Sequence, residues 1–299
     1  AFGDYGKGEV QMPPKKYLLF DKYNGDLRIM PSYSKNLDLA GTKIVNVHPD
    51  NPKKGLKTVM ASILLNDPKT GLPIALMDAT YITAIRTGAA GAVAAKYWAR
   101  KDSKVLGVVG AGAQAVTQIM ATLAVIKIKT VKVFDLNEKV FLALQKNMKS
   151  LGVKIEKAKD LPDVCDCDIL VTTTPVRNPI IKREWIKPGT HINAIGADAQ
   201  GKEELDPQIL KDGKIVIDDW AQASHSGEIN VPVAKGLIQE QDIYAMLGDI
   251  VCGKKSGRQN DKDITIFDST GLGVQDLYTA ALAYKLAKGK KVGKRVEII

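Results

Sequence analysis

The chain has 299 residues, 45% hydrophobic and 25% charged, which suits a soluble globular protein with a sizeable core and is long enough for two domains. Lys and Arg exceed Asp and Glu for a formal charge of +10, but the lysines are scattered; the one dense run, Lys285 to Arg295, lacks interleaved aromatics and reads as a solvated surface rather than a nucleic-acid face. No apolar run approaches the roughly 18 to 20 residues that span a bilayer, the opening AFGDYGKGEV lacks the order of a secretory signal, and Cys165, Cys167 and Cys252 form neither a disulfide framework nor a CxxC metal spacing, so a cytoplasmic, membrane-free protein is expected.

From Tyr17 to Met77, short strand-like runs (YLLF, DLRIM, TKIVNVH, TVMASILL, PIALMD) are separated by Asn-Gly, Pro and Lys-Thr-Gly turn signals, the pattern of an antiparallel sheet. Thr80 to Arg100 carries a long Ala-rich helical pattern in which Gly88 and Gly91 allow close packing. The rhythm then changes to alternating strand and helix. Near-continuous apolar strands are expected at Val105 to Val109, Val131 to Phe134, Asp168 to Thr172, His191 to Ile195, Lys214 to Asp218 and Ile264 to Phe267, as in a parallel sheet covered on both faces. A last amphipathic helix, Val274 to Ala287, is placed to pack back on the first domain. The fold class is α/β: a Rossmann-type doubly wound parallel sheet over residues 98 to 271, plus a second α+β domain with a mainly antiparallel sheet over residues 1 to 97 and 272 to 299.

The stretch KVLGVVGAGAQ carries the strongest chemical signal. A strand runs into Gly110-x-Gly112-x-x-Ala115 and then a helix, the shape of a dinucleotide-binding turn. Gly110 permits the tight turn, Gly112 lets the backbone approach a pyrophosphate, and Ala115 lets the helix pack closely on the strand. Asp135 ends the next strand a little over 20 residues on, placed to accept from ribose hydroxyls, and its charge favours NAD over a 2'-phosphorylated dinucleotide.

Residues just beyond the other strands, Thr172 to Thr174, Gly196 to Asp198 and Asp268 to Thr270, are the next ligand candidates. Asp198 has small neighbours that leave room for a ligand, although a turn or N-cap aspartate is the commoner fate of Asp in a loop. Arg28 and Lys43 stand among apolar neighbours on strand-like segments, pointing either to solvent or into a cavity that holds an anion; alternation does not choose. His48, His191 and His225 are read as structural.

Taken together, LRIMPS, TKIVNVHPDNPKKGL, TVMA, DATYITAIRTGAAG, GAGAQA, DILVTTTP, GTHINAIGADAQGK, HSGEIN and ITIFDSTGLGVQD resemble the ornithine cyclodeaminase and mu-crystallin family, and within it the archaeal alanine dehydrogenase branch. By that resemblance, Lys43 contacts the substrate near its carboxylate and carbonyl, Arg28 holds the carboxylate, Met30 lines the pocket, and Asp198 is the catalytic proton donor or acceptor. Thr58, Arg86, Gly110, Gly112, Ala113, Gln114, Asp135, Thr174, Ala194, Ile195, Lys202 and Ser269 match positions that line NAD. The resemblance also implies a homodimer joined through the first domain's sheet. Cyclodeaminases have a glutamate where Arg28 stands, and an arginine there would repel an ornithine side-chain ammonium by about 4 kcal/mol at 4 Å and intermediate dielectric. A short amino acid or 2-oxo acid is therefore the expected substrate, and L-alanine with pyruvate and ammonia the expected reaction. Proline formation from ornithine and a non-catalytic binding protein are the alternatives.

Overall fold

Alternating apolar and polar side chains over the first eighty positions build a sheet that is buried on one face only. A computed structural model describes residues 1–297. After a short turn, α1 (Phe2–Gly6), come β1 (Val10–Gln11), β2 (Lys16–Phe20), β3 (Gly25–Ser34), β4 (Leu39–Val47), β5 (Val59–Asn66) and β6 (Pro73–Asp78). All pair antiparallel in the order β1-β3-β4-β5-β6, with β2 also on β3. The two-residue β1 gave no signal in the sequence. Nor did the continuation of β3 through Pro31 to Ser34. Proline is tolerated there because β2 pairs β3 only as far as Ile29 and β1 only from Tyr33, so no ladder on that side needs an N–H from residue 31.

Helix α2 (Thr80–Trp98) follows, and its glycines serve packing: a Cβ on Gly88 would lie 2.4 Å from the carbonyl oxygen of Thr117 on α3 (Ala113–Val125). The strands of the second sheet are β7 (Val105–Val109), β8 (Thr130–Phe134), β9 (Lys154–Lys157), β10 (Ile169–Thr172), β11 (His191–Ala194), β12 (Lys214–Ile217), β13 (Ile243–Met246) and β14 (Thr265–Asp268). Every neighbouring pair is parallel, in the order β13-β12-β14-β11-β10-β7-β8-β9. Helices α4 (Glu138–Asn147), α5 (Leu161–Cys165), α6 (Pro207–Asp212), α7 (Trp220–Ser226), α8 (Asn230–Ala234) and α9 (Leu247–Val251) fall between these strands. Two apolar clusters back this sheet, one around Leu106, Ile119 and Val131, the other around Leu170, Ile192 and Ile266.

Edge strands β9 and β13 are additions to the sequence reading. Each has one neighbour; three of the four residues of β9 (KIEK) are charged, so it lacks the apolar run of a strand buried on both sides, while β13 (IYAM) is apolar but only four residues long.

The last helix, α10 (Gly273–Gly289), covers the inner face of the first sheet, where Leu277 and Ala280 join Ile63 and Leu65 in a third core. The chain thus forms two compact units. Unit 1 comprises Gly3–Arg86 and the residues from Leu272, and unit 2 spans Thr87–Gly271.

Candidate active site

In unit 2 the parallel order reverses at β7: β8 lies on one side and β10 on the other, the switch point at which open α/β sheets bind ligands beyond their strand ends. The chain leaves β7 through Gly110, whose φ of +91° is reserved for glycine; its N–H donates to Phe134 O at 2.9 Å, and a Cβ there would stand 2.9 Å from Thr173 Oγ1. Gly112 is the N-cap of α3 without a side-chain cap, and nothing lies within 4 Å of where its Cβ would be. The first amides of α3, beginning at the exposed Ala113 and half-buried Gln114, therefore face open space with the helix dipole behind them. Asp135 closes the turn: Oδ2 accepts from Ala111 N and Oδ1 from Asn137 N, both at 2.7 Å. Each oxygen keeps lone-pair capacity for a hydroxyl donor. An uncapped 13-residue helix, clear space at its glycine and an acid fixed beside it fit a dinucleotide whose ribose carries no 2'-phosphate.

Other expected residues of unit 2 stand at neighbouring strand ends. Thr174 lies beyond β10, and both its N–H and hydroxyl donate to Glu204 Oε1, at 2.7 and 2.6 Å. Ala194 and Ile195 are buried at the end of β11, with Ile195 N donating to Thr172 O at 3.0 Å. Ser269 follows β14, buried, its hydroxyl without a partner. Asp198 lies in the loop after β11, one-third exposed, and Lys202 Nζ approaches its Oδ1 at 2.5 Å. Thr172 and Asp268, grouped with these loops in the sequence, are instead the fully buried last residues of their strands.

In unit 1, Arg28, Met30 and Lys43 share the inner face of the sheet, Met30 directly opposite Lys43 in the β3/β4 register and Arg28 two residues along. All three are buried, which decides the question that alternation left open. Arg28 forks onto Asp26, Nε to Oδ1 and Nη2 to Oδ2 at 2.9 Å each, with its guanidinium carbon 5.3 Å from the centre of the Tyr17 ring. Lys43 is wholly buried with Nζ 2.8 Å from both oxygens of Asp276 on α10, and Arg86 Nε lies 2.9 Å from the same carboxylate. Arg86 was expected along the nucleotide; its contacts here are with Asp276 and, at 3.3 Å, Gln275. Thr58 belongs to unit 1 as well, before β5, where its carbonyl accepts from His48 N at 2.8 Å.

Burial drives the Lys43 ammonium down to about 7, Arg86 and Lys15 push the same way, and Asp276 opposes them. Asp26, Asp276 and the buried Lys15 were missed in the sequence. An acid between Val274 and Leu277, on the apolar side of an amphipathic helix, was the available signal for Asp276.

The histidines are structural. Buried His191 bonds Thr265 and Asn193, and desolvation lowers it to about 3, leaving it neutral. His48 stacks on Phe20, and exposed His225 bonds Ser224 and Ala221 O. Cys165 and Cys167 are buried, with Cys165 raised to about 12 by desolvation.

The sequence pattern of the ornithine cyclodeaminase/mu-crystallin family matches residues 1–291. Alanine dehydrogenase of Archaeoglobus fulgidus is 51% identical over 297 residues, spanning 99% of this chain and 91% of that protein. Among solved structures, an archaeal alanine dehydrogenase dimer with bound NAD superposes with a TM-score of 0.96 at 50% identity, over 100% of this chain and 92% of that one. The Delta(1)-pyrroline-2-carboxylate reductase of Thermococcus litoralis, solved with NADH and L-proline, also gives 0.96, at 42% identity over 99% and 92%. With the pattern matched along almost its whole length, the chain belongs to the ornithine cyclodeaminase/mu-crystallin family.

Proposed function

We propose that this enzyme is an NAD-dependent alanine dehydrogenase, interconverting L-alanine with pyruvate and ammonia. The observation that carries the reading is the buried Arg28, forked on Asp26 and on the same sheet face as Lys43 and Met30. A planar guanidinium held in this way suits a substrate carboxylate and repels a side-chain ammonium. Lys43 and Arg86 share one carboxylate, Asp276, which leaves this face of the sheet favourable to an anion.

The cofactor is NAD, held by the α3 amides from Ala113 and Gln114 above Gly110 and Gly112, with Asp135 taking the ribose hydroxyls and Thr174, Ala194, Ile195, Lys202 and Ser269 lining it. NAD, when bound, supplies the acceptor for the hydride that leaves C2 of the amino acid. Lys43 and Arg28 hold the carboxylate and so orient that carbon. Asp198 takes a proton from the water that adds to the iminium carbon and returns it to the amine nitrogen, and as the C–N bond breaks the new hydroxyl passes its proton to the leaving nitrogen, so that pyruvate and ammonium are released and the carboxylate is restored. Lys202, 2.5 Å from Asp198, fixes the orientation of that carboxylate.

A second reading shares the hydride step: reduction of a cyclic imine such as Delta(1)-pyrroline-2-carboxylate, favoured by the 42% identity to the Thermococcus litoralis enzyme. Loss of NADH absorbance with pyruvate plus ammonium, beside Delta(1)-pyrroline-2-carboxylate and NAD with L-ornithine, separates the readings. Fastest consumption with pyruvate is expected. Preference for the cyclic imine would move the substrate to the second reading, and proline from ornithine without net NADH would overturn the argument from Arg28.

Two copies are proposed to pair through the outer face of the unit 1 sheet. Cross-strand partners share a face, so Leu18, Ile29, Ile44 and Leu76 all lie on the side away from α10, each more than a third exposed. A contiguous apolar face of this kind marks an interaction surface, and the archaeal alanine dehydrogenase is described as a dimer.

A further inference from the structure

The segment HSGEIN, with the buried acid of GKEEL, has no part in the chemistry above, yet its side chains converge on the loop that carries Asp198. Asn230 is 4% exposed. Its Oδ1 accepts from Gly201 N at 2.8 Å, while Nδ2 donates to Lys202 O at 2.8 Å and to Gly227 O at 2.6 Å. Glu204, fully buried, reaches the other end of the same loop: Oε2 accepts from Gly196 N at 2.9 Å, and Oε1 takes the two Thr174 donors. One carboxylate thereby ties the end of β10 to the end of β11. Glu204 is itself held in place. Glu228 Oε1 accepts from the backbone amides of Glu204 and Leu205 at 2.8 and 2.6 Å, and the Glu204 carbonyl accepts from Ile180 and Ile181 at 2.9 and 3.0 Å.

Two buried carboxyls this close are costly unless the surroundings hold them by hydrogen bonds. Amide and hydroxyl donors converge on Glu204, whereas Glu228 Oε2 is buried without a partner. Desolvation first, and then the neighbouring Glu204 and Asp268 charges, push Glu228 well up, while burial also raises Glu204 against the pull of its Thr174 and Gly196 donors.

We propose that Glu204, Glu228 and Asn230 are positioning residues that fix the backbone of residues 196 to 202, and with it the Asp198 carboxylate, for proton transfer. The inference rests on the reading of Asp198 as the proton-handling group. Loops lacking such bracing sample many positions, and a displacement of an ångström can cost about 100-fold in rate. The three side chains act at both ends of the loop, so releasing either end misplaces Asp198 while the glycine turn and Asp135 stay as they are.

The test is a mutant cycle on the full chain. Asn230→Ala removes the Gly201 and Lys202 bonds, and Glu204→Gln sets an amide donor against the Gly196 or Thr174 N–H. Each is made alone and in an Asp198→Ala background, with turnover followed on whichever imino or oxo acid the wild-type chain reduces. At saturating NADH, each single variant is expected to lose at least about tenfold in kcat and to add almost nothing to the loss in Asp198→Ala. Amide exchange of residues 196 to 205, which needs no substrate, should quicken while that of β7 and β8 stays unchanged. Losses that multiply with Asp198→Ala, or unaltered exchange in the loop, would overturn the proposal. Silence with pyruvate and ammonium alone would overturn the alanine assignment and leave the cycle to be read on the cyclic imine.

Discussion

Lys43 is the residue at which sequence, burial and chemistry meet. A lysine whose ammonium is lowered when folded binds fewer protons than the unfolded chain between about 7 and 10.5, so its burial opposes folding at low pH and opposes it less as pH rises through that window. If the charged form holds the substrate carboxylate, kcat/KM for pyruvate at saturating ammonium should fall as pH rises through about 7. Asp276→Asn removes the attraction that keeps the proton on, and the midpoint should move to lower pH by about one unit or more. A midpoint that stays put would dismiss Asp276 as the counter-ion. The lysine was legible as a charge among apolar residues, but its partner stands 233 positions away on α10, and no local periodicity reports a pairing of that range. Arg28 and Asp26 show the limit in smaller form: two residues apart on one strand they share a face, yet only the folded sheet shows the fork closing on its neighbour.

At the scale of elements, the strand, glycine turn and helix from Val105 to Val125 were readable because each signal is local: an apolar run, glycines at fixed spacing, then helical period. Gly110→Ala should test that unit directly. An alanine forced to a φ of +91° and into Thr173 costs about 1–2 kcal/mol, and NADH affinity measured by fluorescence should drop about tenfold while circular dichroism keeps the wild-type shape. Unchanged affinity would mean that the turn does not shape the phosphate site. The edge strands β1, β9 and β13 escaped the same reading, since β9 is mostly charged, and the two residues of β1 and the four of β13 (IYAM) are too short to show a period. Bracing of the Asp198 loop escaped too. Glu204, Glu228 and Asn230 look like surface residues in a sequence, and burial alone distinguishes them.

At the scale of the whole molecule, the outer face of the unit 1 sheet is the proposed assembly surface. Glutamates at Ile29 and Ile44, directly opposed across β3 and β4, would place like charges side by side on the apolar face. Light scattering should find a dimer for the wild-type chain and a monomer for Ile29→Glu with Ile44→Glu; a wild-type monomer would remove the proposed pairing. The sequence made the sheet legible but not its exposed face, because alternation shows that two faces differ without showing which one a helix covers.

Unit 2 interrupts unit 1, the chain leaving at Arg86 and returning at Leu272, and this dictates an order of events on the ribosome. Strands β1 to β6 emerge first, but the helix that shields their inner face and the carboxylate that neutralises Lys43 are made almost two hundred residues later. The nascent sheet therefore waits, with a lysine in an apolar face and no counter-ion, while the uninterrupted nucleotide unit has its whole sequence available and completes first. The segment of the protein translated first is thus the one that matures last.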